Sequence, residues 1–356
     1  MKNTTAKAMV FSEPNKEFDE KSIVIPKANE GEIVVRITYT TICTSDLHTY
    51  TGRRQSPAPC ILGHEIIGTI ISIDDTITTD YLGNSLKEGD LITWAVYAFD
   101  KNNPMAEKGI PQKSPNLYKY GHHTLSDTDT LNGGFATHCV LRKGTAIFKL
   151  PENLNVKSLA PLNCTHATIA GAMRLAGNLS DKNVLVTGAG MLGLSACAMA
   201  KNNGAKNVYC MDINENRLEL SKSFGVNRTL TSNQAEEYFT DNDKIDVVID
   251  TTGVPSAMET GLSVLNIGGT AVWVGAVYNQ KPTQVNAEMI VRNLITIKGL
   301  HNYTPEDLKT AILFLIENHN TYPFESLVSD EYNLNELTTA FKAANNGEHY
   351  RVGIKQ

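Results

Sequence analysis

The segment Ile42–Arg54, ICTSDLHTYTGRR, concentrates side chains that do chemistry. Cys43 offers a thiolate, a good ligand for zinc. The Ser45 hydroxyl can donate and accept, and His48 titrates near neutrality, so the two suit proton transfer. Arg53 and Arg54 add fixed positive charge, and their guanidinium forks match carboxylate and phosphate-like oxygens. Either arginine also reads as a surface residue or the partner of a local carboxylate. Further on, CILGHEIIG sets His64 and Glu65 between two glycines, and Cys164 lies in APLNCTHATIAG. Each is ambiguous alone. As a set, Cys43, His64 and Cys164 provide the Cys₂His ligands that a catalytic zinc uses while keeping an open position. Cys60, Cys139, Cys197 and Cys210 form no CxxC pair and read as small buried residues, not a disulfide framework.

A second constellation lies in VLVTGAGMLG, which holds Gly188-x-Gly190-x-x-Gly193. Alone the pattern is weak. Here it follows a strand, opens a helix at Met191 and Leu192, and precedes Asp212 at the end of the next strand, which is the dinucleotide fingerprint's context. Gly188 permits the turn, Gly190 lets the pyrophosphate approach, and Gly193 lets the helix sit close to the strand. The helix N-terminus offers free N–H groups to phosphates. Asp212 would accept ribose hydroxyls and repel a 2′-phosphate, which favours NAD over NADP. Arg217 either lies over the adenine or is a solvated helix residue.

The chain around these residues falls into two textures. The first ~160 residues read as strands such as EIVVRITYTTI and EIIGTIISI, rich in β-branched residues. Residues 96–132 interrupt them with a polar, proline-bearing lobe. From about residue 183, strands and helices alternate, which predicts an α/β unit with a parallel sheet covered on both faces. TAVWVGAV, 270–277, reads as a strand at the sheet edge. Thr304 is a candidate N-cap, with Pro305 at the first helical position and Asp307 in the first turn. The strand-like end YRVGIKQ would return to the first domain. The expected division is 1–160 with 303–356, against 161–302.

At 356 residues, with 41% hydrophobic and 20% charged residues, the chain suits two ordinary globular domains. A net charge of −6 gives no reason to expect a nucleic-acid or anionic-membrane surface. No apolar leader or membrane-length run is visible, so a cytoplasmic protein is expected.

Taken together, CTSDLH, GHEIIG, GGFATH, NCTHAT, the glycine fingerprint with Asp212, and GGTAVWVG resemble the medium-chain, zinc-dependent alcohol dehydrogenase family from end to end. The resemblance implies a GroES-like catalytic domain, a doubly wound Rossmann domain for NAD, and a small alcohol or its aldehyde or ketone as substrate. It implies zinc on Cys43, His64 and Cys164, with Glu65 as a nearby carboxylate. Ser45 would bond the substrate oxygen, Asp46 would orient its neighbours, and His48 would end a proton relay. Thr168 would lie against the nicotinamide, the backbone of Val274 and Gly275 would hold its carboxamide, and Arg351 would reach the cofactor phosphates. A homodimer or homotetramer is implied as well. Family members commonly hold a second, structural zinc on four lobe cysteines. Those places here are Asp100, Asn103, Ala106 and Ser114, so one zinc per subunit is expected.

The segments CTSDLHTYTGRR, GIPQKSPNLYKYGH and GLHNYTPEDL further resemble a subgroup associated with phosphonate catabolism. With Arg53 and Arg54, this points to an anionic substrate. Lys113, Lys119, His122 and His301 are weaker candidates for added positive potential. Two other readings compete: a zinc-free reductase of the same fold, and an NAD-binding regulatory protein without catalysis. The intact Cys₂His set and the unbroken catalytic positions argue against both.

Overall fold

The computed structural model describes residues 4–241 and 244–356. The chain forms two compact units. The first comprises Met1–Cys164, Thr304–Lys309 and Phe324–Gln356; the second comprises Thr165–Tyr303 and Thr310–Pro323. The junction thus falls after Cys164, on the far side of the residue from the expected 160/161 boundary. The helix Pro305–Asn318 is divided between the units, and it is capped as its sequence suggests. The Thr304 N–H donates to Asp307 Oδ2 at 2.9 Å, and the Asp307 N–H donates to Thr304 Oγ1 at 3.2 Å.

An eight-stranded sheet organises the first unit, and its long central strand is Ile33–Ile42. That strand is mostly β-branched and buries all but Arg36 and Thr38. It pairs antiparallel with Glu65–Ile73 and with Arg351–Lys355, in the registers Thr41↔Glu65 and Ile42↔Val352. The registers matter for the site. The end of the first strand, the start of the second and the start of the third lie side by side. Cys43, Glu65 and Arg351 are therefore delivered to one place by backbone pairing.

The polar lobe after Leu91–Ala98 holds a short α-helix, Pro104–Glu107, a 3₁₀ turn, Pro111–Lys113, and a two-residue strand, Tyr118–Lys119. Arg142 ties it to the sheet. Its guanidinium donates to Asp129 Oδ1 at 2.7 Å and to Glu32 Oε1 at 2.5 Å, and Tyr118 donates its hydroxyl to Asp129 at 2.7 Å.

The second unit contains a six-stranded, all-parallel sheet. In spatial order its strands are Arg228–Leu230, Asn207–Met211, Asn183–Thr187, Ile245–Asp250, Leu265–Trp273 and Thr296–Gly299. Chain order reverses between Asn183–Thr187 and Ile245–Asp250, the switch point where doubly wound sheets bind ligands. One expectation fails here. The strand carrying TAVW is not at the edge, because Thr296–Gly299 pairs alongside it and forms the edge instead. The short run TIKG gave little periodicity from which to foresee an extra strand. Among the described residues, no helix is long and apolar enough to cross a membrane.

Candidate metal and dinucleotide sites

Cys43 ends the central strand and serves as N-cap of the helix Thr44–Tyr50. Asp46, at the third helical position, closes a capping box by accepting the Cys43 N–H on Oδ2 at 2.9 Å. The same carboxylate is fully buried and reaches across to the other ligand loop. Its Oδ1 accepts the Gly63 N–H at 3.3 Å and lies 3.2 Å from His64 Nδ1. A proton on Nδ1, bonded to Asp46, leaves the Nε2 lone pair free for a metal. Asp46 therefore fixes the backbone of one ligand and the ring of another.

The ligand atoms of Cys43, His64 and Cys164 all lie within 4.8 Å of one another. The two sulfurs are 3.9 Å apart. Two thiolates on a tetrahedral zinc at ~2.3 Å each would stand roughly 3.8 Å apart, so the donor set and its spacing fit this ion. The hydrogen bond from Cys164, aided by the charges of Arg351 and His64, holds Cys43 well below the usual thiol range. The same bond, with burial, pushes Cys164 well above it. Burial opposes charge on His64, but Asp46 and Cys43 outweigh it and raise the imidazole well above its ordinary value.

Glu65 stands at this site fully engaged. Its Oε2 accepts the Thr41 hydroxyl at 2.5 Å and Arg351 Nε at 2.7 Å, and its Oε1 accepts Arg351 Nη2 at 2.7 Å. Burial pushes the carboxyl up, and Arg351 pulls against that. The Arg351 guanidinium, only 4% exposed, also donates to the Tyr350 carbonyl and approaches Cys43 Sγ at 3.6 Å. The strand register sets it beside a buried carboxylate, and a bidentate pair forms there.

Ser45 Oγ is 3.2 Å from His64 Nε2, on the metal side of the ring. His48 lies three residues on in the same helix, a spacing that puts the two on one face. Burial lowers the His48 pKa, and Arg53 and Arg54 add to that while Cys43 opposes it. Arg54 is half-buried and Arg53 exposed.

In the second unit, Gly188, Gly190 and Gly193 run from the strand Asn183–Thr187 into the helix Met191–Asn202. A Cβ at Gly193 would fall 1.7 Å from the Gly188 carbonyl oxygen, so only glycine allows this packing. A Cβ at Gly190 would meet nothing within 4 Å, which leaves open space against the backbone for a ligand. Met191 is buried and Leu192 half-buried in the first helical turn. Asp212 braces the loop: Oδ2 accepts the Ala189 N–H at 2.6 Å and Oδ1 the Asn214 N–H at 2.8 Å. Thr168 is half-buried in the helix Thr165–Ala176, Arg217 sits in the helix Glu215–Ser221, and Val274 and Gly275 follow the strand Leu265–Trp273. His301 also belongs to this unit.

Sequence reasoning missed the Glu65–Arg351–Thr41 network, which only strand register creates. It also missed Asp46 as a cap, though C-T-S-D is a capping-box pattern with cysteine in place of serine.

The chain matches known proteins along most of its length. Residues 29–152 match the alcohol dehydrogenase GroES-like domain, and residues 192–317 match the zinc-binding dehydrogenase domain. A sorbitol dehydrogenase from Halalkalibacterium halodurans is 28% identical over 337 residues, covering 92% of each chain. An L-threonine 3-dehydrogenase from Paraburkholderia phytofirmans is 26% identical over 343 residues, again covering 92% of each. The crystal structure of an alcohol dehydrogenase from Thermotoga maritima has a TM-score of 0.92 at 27% identity, covering 99% of both chains. With the Cys43, His64 and Cys164 donors in place, the chain belongs to the medium-chain, zinc-dependent alcohol dehydrogenase family, enzymes that act on small alcohols and their carbonyl counterparts.

Proposed function

We propose that this protein interconverts a small alcohol and its aldehyde or ketone, with one zinc on Cys43, His64 and Cys164 and with NAD on the glycine loop of the second unit. The observation that carries the reading is the Cys₂His cluster whose His64 Nε2 is freed by Asp46. Bound zinc supplies Lewis acidity at the substrate oxygen, and a nicotinamide supplies the hydride-accepting carbon. The remaining work falls to the chain. Oxidation takes a hydride from carbon and a proton from oxygen. Ser45 accepts that proton in a hydrogen-bonded network, and His48, neutral near pH 7 because burial lowers its pKa, passes it to solvent. Asp46 holds two ligands in place, and Glu65, bound to Arg351, keeps a carboxylate near the site. Thr168 and the backbone of Val274 and Gly275 position the nicotinamide. Asp212 takes the ribose hydroxyls and disfavours NADP.

A finer reading is that the alcohol is anionic, with hydroxyalkylphosphonates as the leading candidates. It is favoured by Arg54, half-buried just beyond the relay histidine. Polyols or simple alcohols are the alternative. We further propose a cytoplasmic homodimer or homotetramer. Exposed apolar residues from Ile267 to Leu294, near the edge strand of the second unit, give such an assembly a surface.

Metal analysis combined with NADH formation on a panel of polyols, hydroxy acids and hydroxyalkylphosphonates tests the reading. One zinc per chain and turnover of at least one panel member is the expected result. Protein lacking zinc, or zinc-loaded protein inert to every member, would overturn it. For the relay, His48→Ala should slow turnover most at pH 6–7; unchanged rates there would remove His48 from it.

A further inference from the structure

We propose that Arg54 and Lys119 form an anion-binding subsite beside the metal ligands, one that selects alcohols bearing a carboxylate or phosphoryl-type group. This deepens the functional reading above and rests on it. The two cations come from separate segments. Arg54 follows the helix Thr44–Tyr50, with its N–H bonded to the His48 carbonyl at 3.0 Å. Lys119 lies in the lobe, paired with Tyr97 of the sheet.

The chain after Lys119 is pressed onto the metal loop. Gly121 has φ +77°, and a Cβ there would lie 2.6 Å from the Gly63 carbonyl oxygen and 3.3 Å from His64 Cβ. The next ring, His122, is centred 5.5 Å from the His64 ring, and its Nδ1 is 3.5 Å from Ser56 Oγ. The lobe thus sets Gly121 and His122, two and three residues beyond Lys119, against the ligand loop and against Ser56, two residues beyond Arg54.

The charges around this point are mutually repulsive. After burial, Arg54 and Lys113 are what lower the Lys119 pKa. Both Arg54 and Lys119 are half-buried, and neither side chain has a hydrogen-bond or ion-pair partner among the described residues. By contrast, the sequestered guanidiniums of Arg142 and Arg351 are each answered by a carboxylate. Like charges left unneutralised in a half-buried place cost stability, and an anionic ligand removes that cost. A guanidinium fork with an ammonium beside it suits an oxyanion with two or three oxygens. Arg53, exposed, adds only long-range attraction.

The test is the ratio of kcat/KM for an anionic alcohol to that for a neutral alcohol of equal length, in wild type, Arg54→Gln, Lys119→Gln and Arg54→Lys. Separate arms use a hydroxy acid and a hydroxyalkylphosphonate to tell carboxylate from phosphoryl recognition. The wild type should favour at least one anion. Each Gln variant should cut that ratio about 10–100-fold, Arg54→Lys should restore part of it, and added salt should weaken it. Equal ratios in wild type and variants, with zinc bound and neutral alcohols turned over, would overturn the subsite and leave the functional reading standing. If zinc-loaded protein turns over nothing, the functional reading falls, and calorimetry with inorganic phosphate then decides the subsite. Binding lost in both Gln variants supports it; no binding to the wild type overturns it.

Discussion

Replacing Asp46 with Asn changes one charge and almost no volume, yet it strikes the point where both ligand loops are held. The wild-type carboxylate receives three donors: Cys43 N–H at 2.9 Å on Oδ2, then Gly63 N–H at 3.3 Å and His64 Nδ1 at 3.2 Å on Oδ1. An amide has one oxygen. If its NH₂ faces Cys43, one buried N–H meets another donor. If it faces Gly63 and His64, either two donors are opposed or the imidazole shifts its proton to Nε2, the atom the metal needs. The least costly arrangement leaves one buried donor unmet, about 1–3 kcal/mol of stability. Loss of a carboxylate behind a histidine ligand typically weakens metal binding about 10–100-fold. Denaturant titration of zinc-free protein would read the first effect, and chelator competition the second. Wild-type values in both measurements would refute the assignment of Asp46 as the shared anchor.

Other consequences are open to the same kind of check. Arg142→Met should destabilise the protein by about 3 kcal/mol, since it leaves Glu32 and Asp129 without their cation, and should speed proteolysis within 96–132; an unchanged denaturation midpoint would show that packing alone holds the lobe. Gly193→Ala should abolish NAD binding or folding, because its Cβ would collide with the Gly188 carbonyl; tight NAD binding by calorimetry would contradict the close packing. Burial pushes the Cys60 thiol from 9.0 up to about 12, and likewise raises Cys139 and the phenols of Tyr97, Tyr118 and Tyr120. Each holds its proton more tightly folded than unfolded. Their contribution to stability is complete below about pH 9 and is lost as the pH climbs towards 12. Denaturation of zinc-saturated protein between about pH 7 and 11 should show this fall; stability that rises above pH 9 would be inconsistent with it.

The amino-acid order was enough to establish two things. Cys43, His64 and Cys164, each ambiguous alone, stood out as a zinc set through the resemblance of their surrounding motifs to a known family, and local context marked the glycine run with Asp212 as a dinucleotide turn. Strand texture before Cys164 and strand–helix alternation after it set the two-part α/β organisation, since periodicity is a local property. Tertiary structure decided what depends on pairing between distant segments. That Arg351 meets Glu65 follows from the register Ile42↔Val352 beside Thr41↔Glu65, which no local pattern encodes. The edge of the parallel sheet went to TIKG, a run too short to announce itself. In the segment Cys43–Arg54, the sequence named a ligand, a hydroxyl, an imidazole and two cations. The fold divided them: Asp46 is locked between two ligand loops, Arg53 lies in solvent, and Arg54 shares its surroundings with Lys119 and His122 from the lobe.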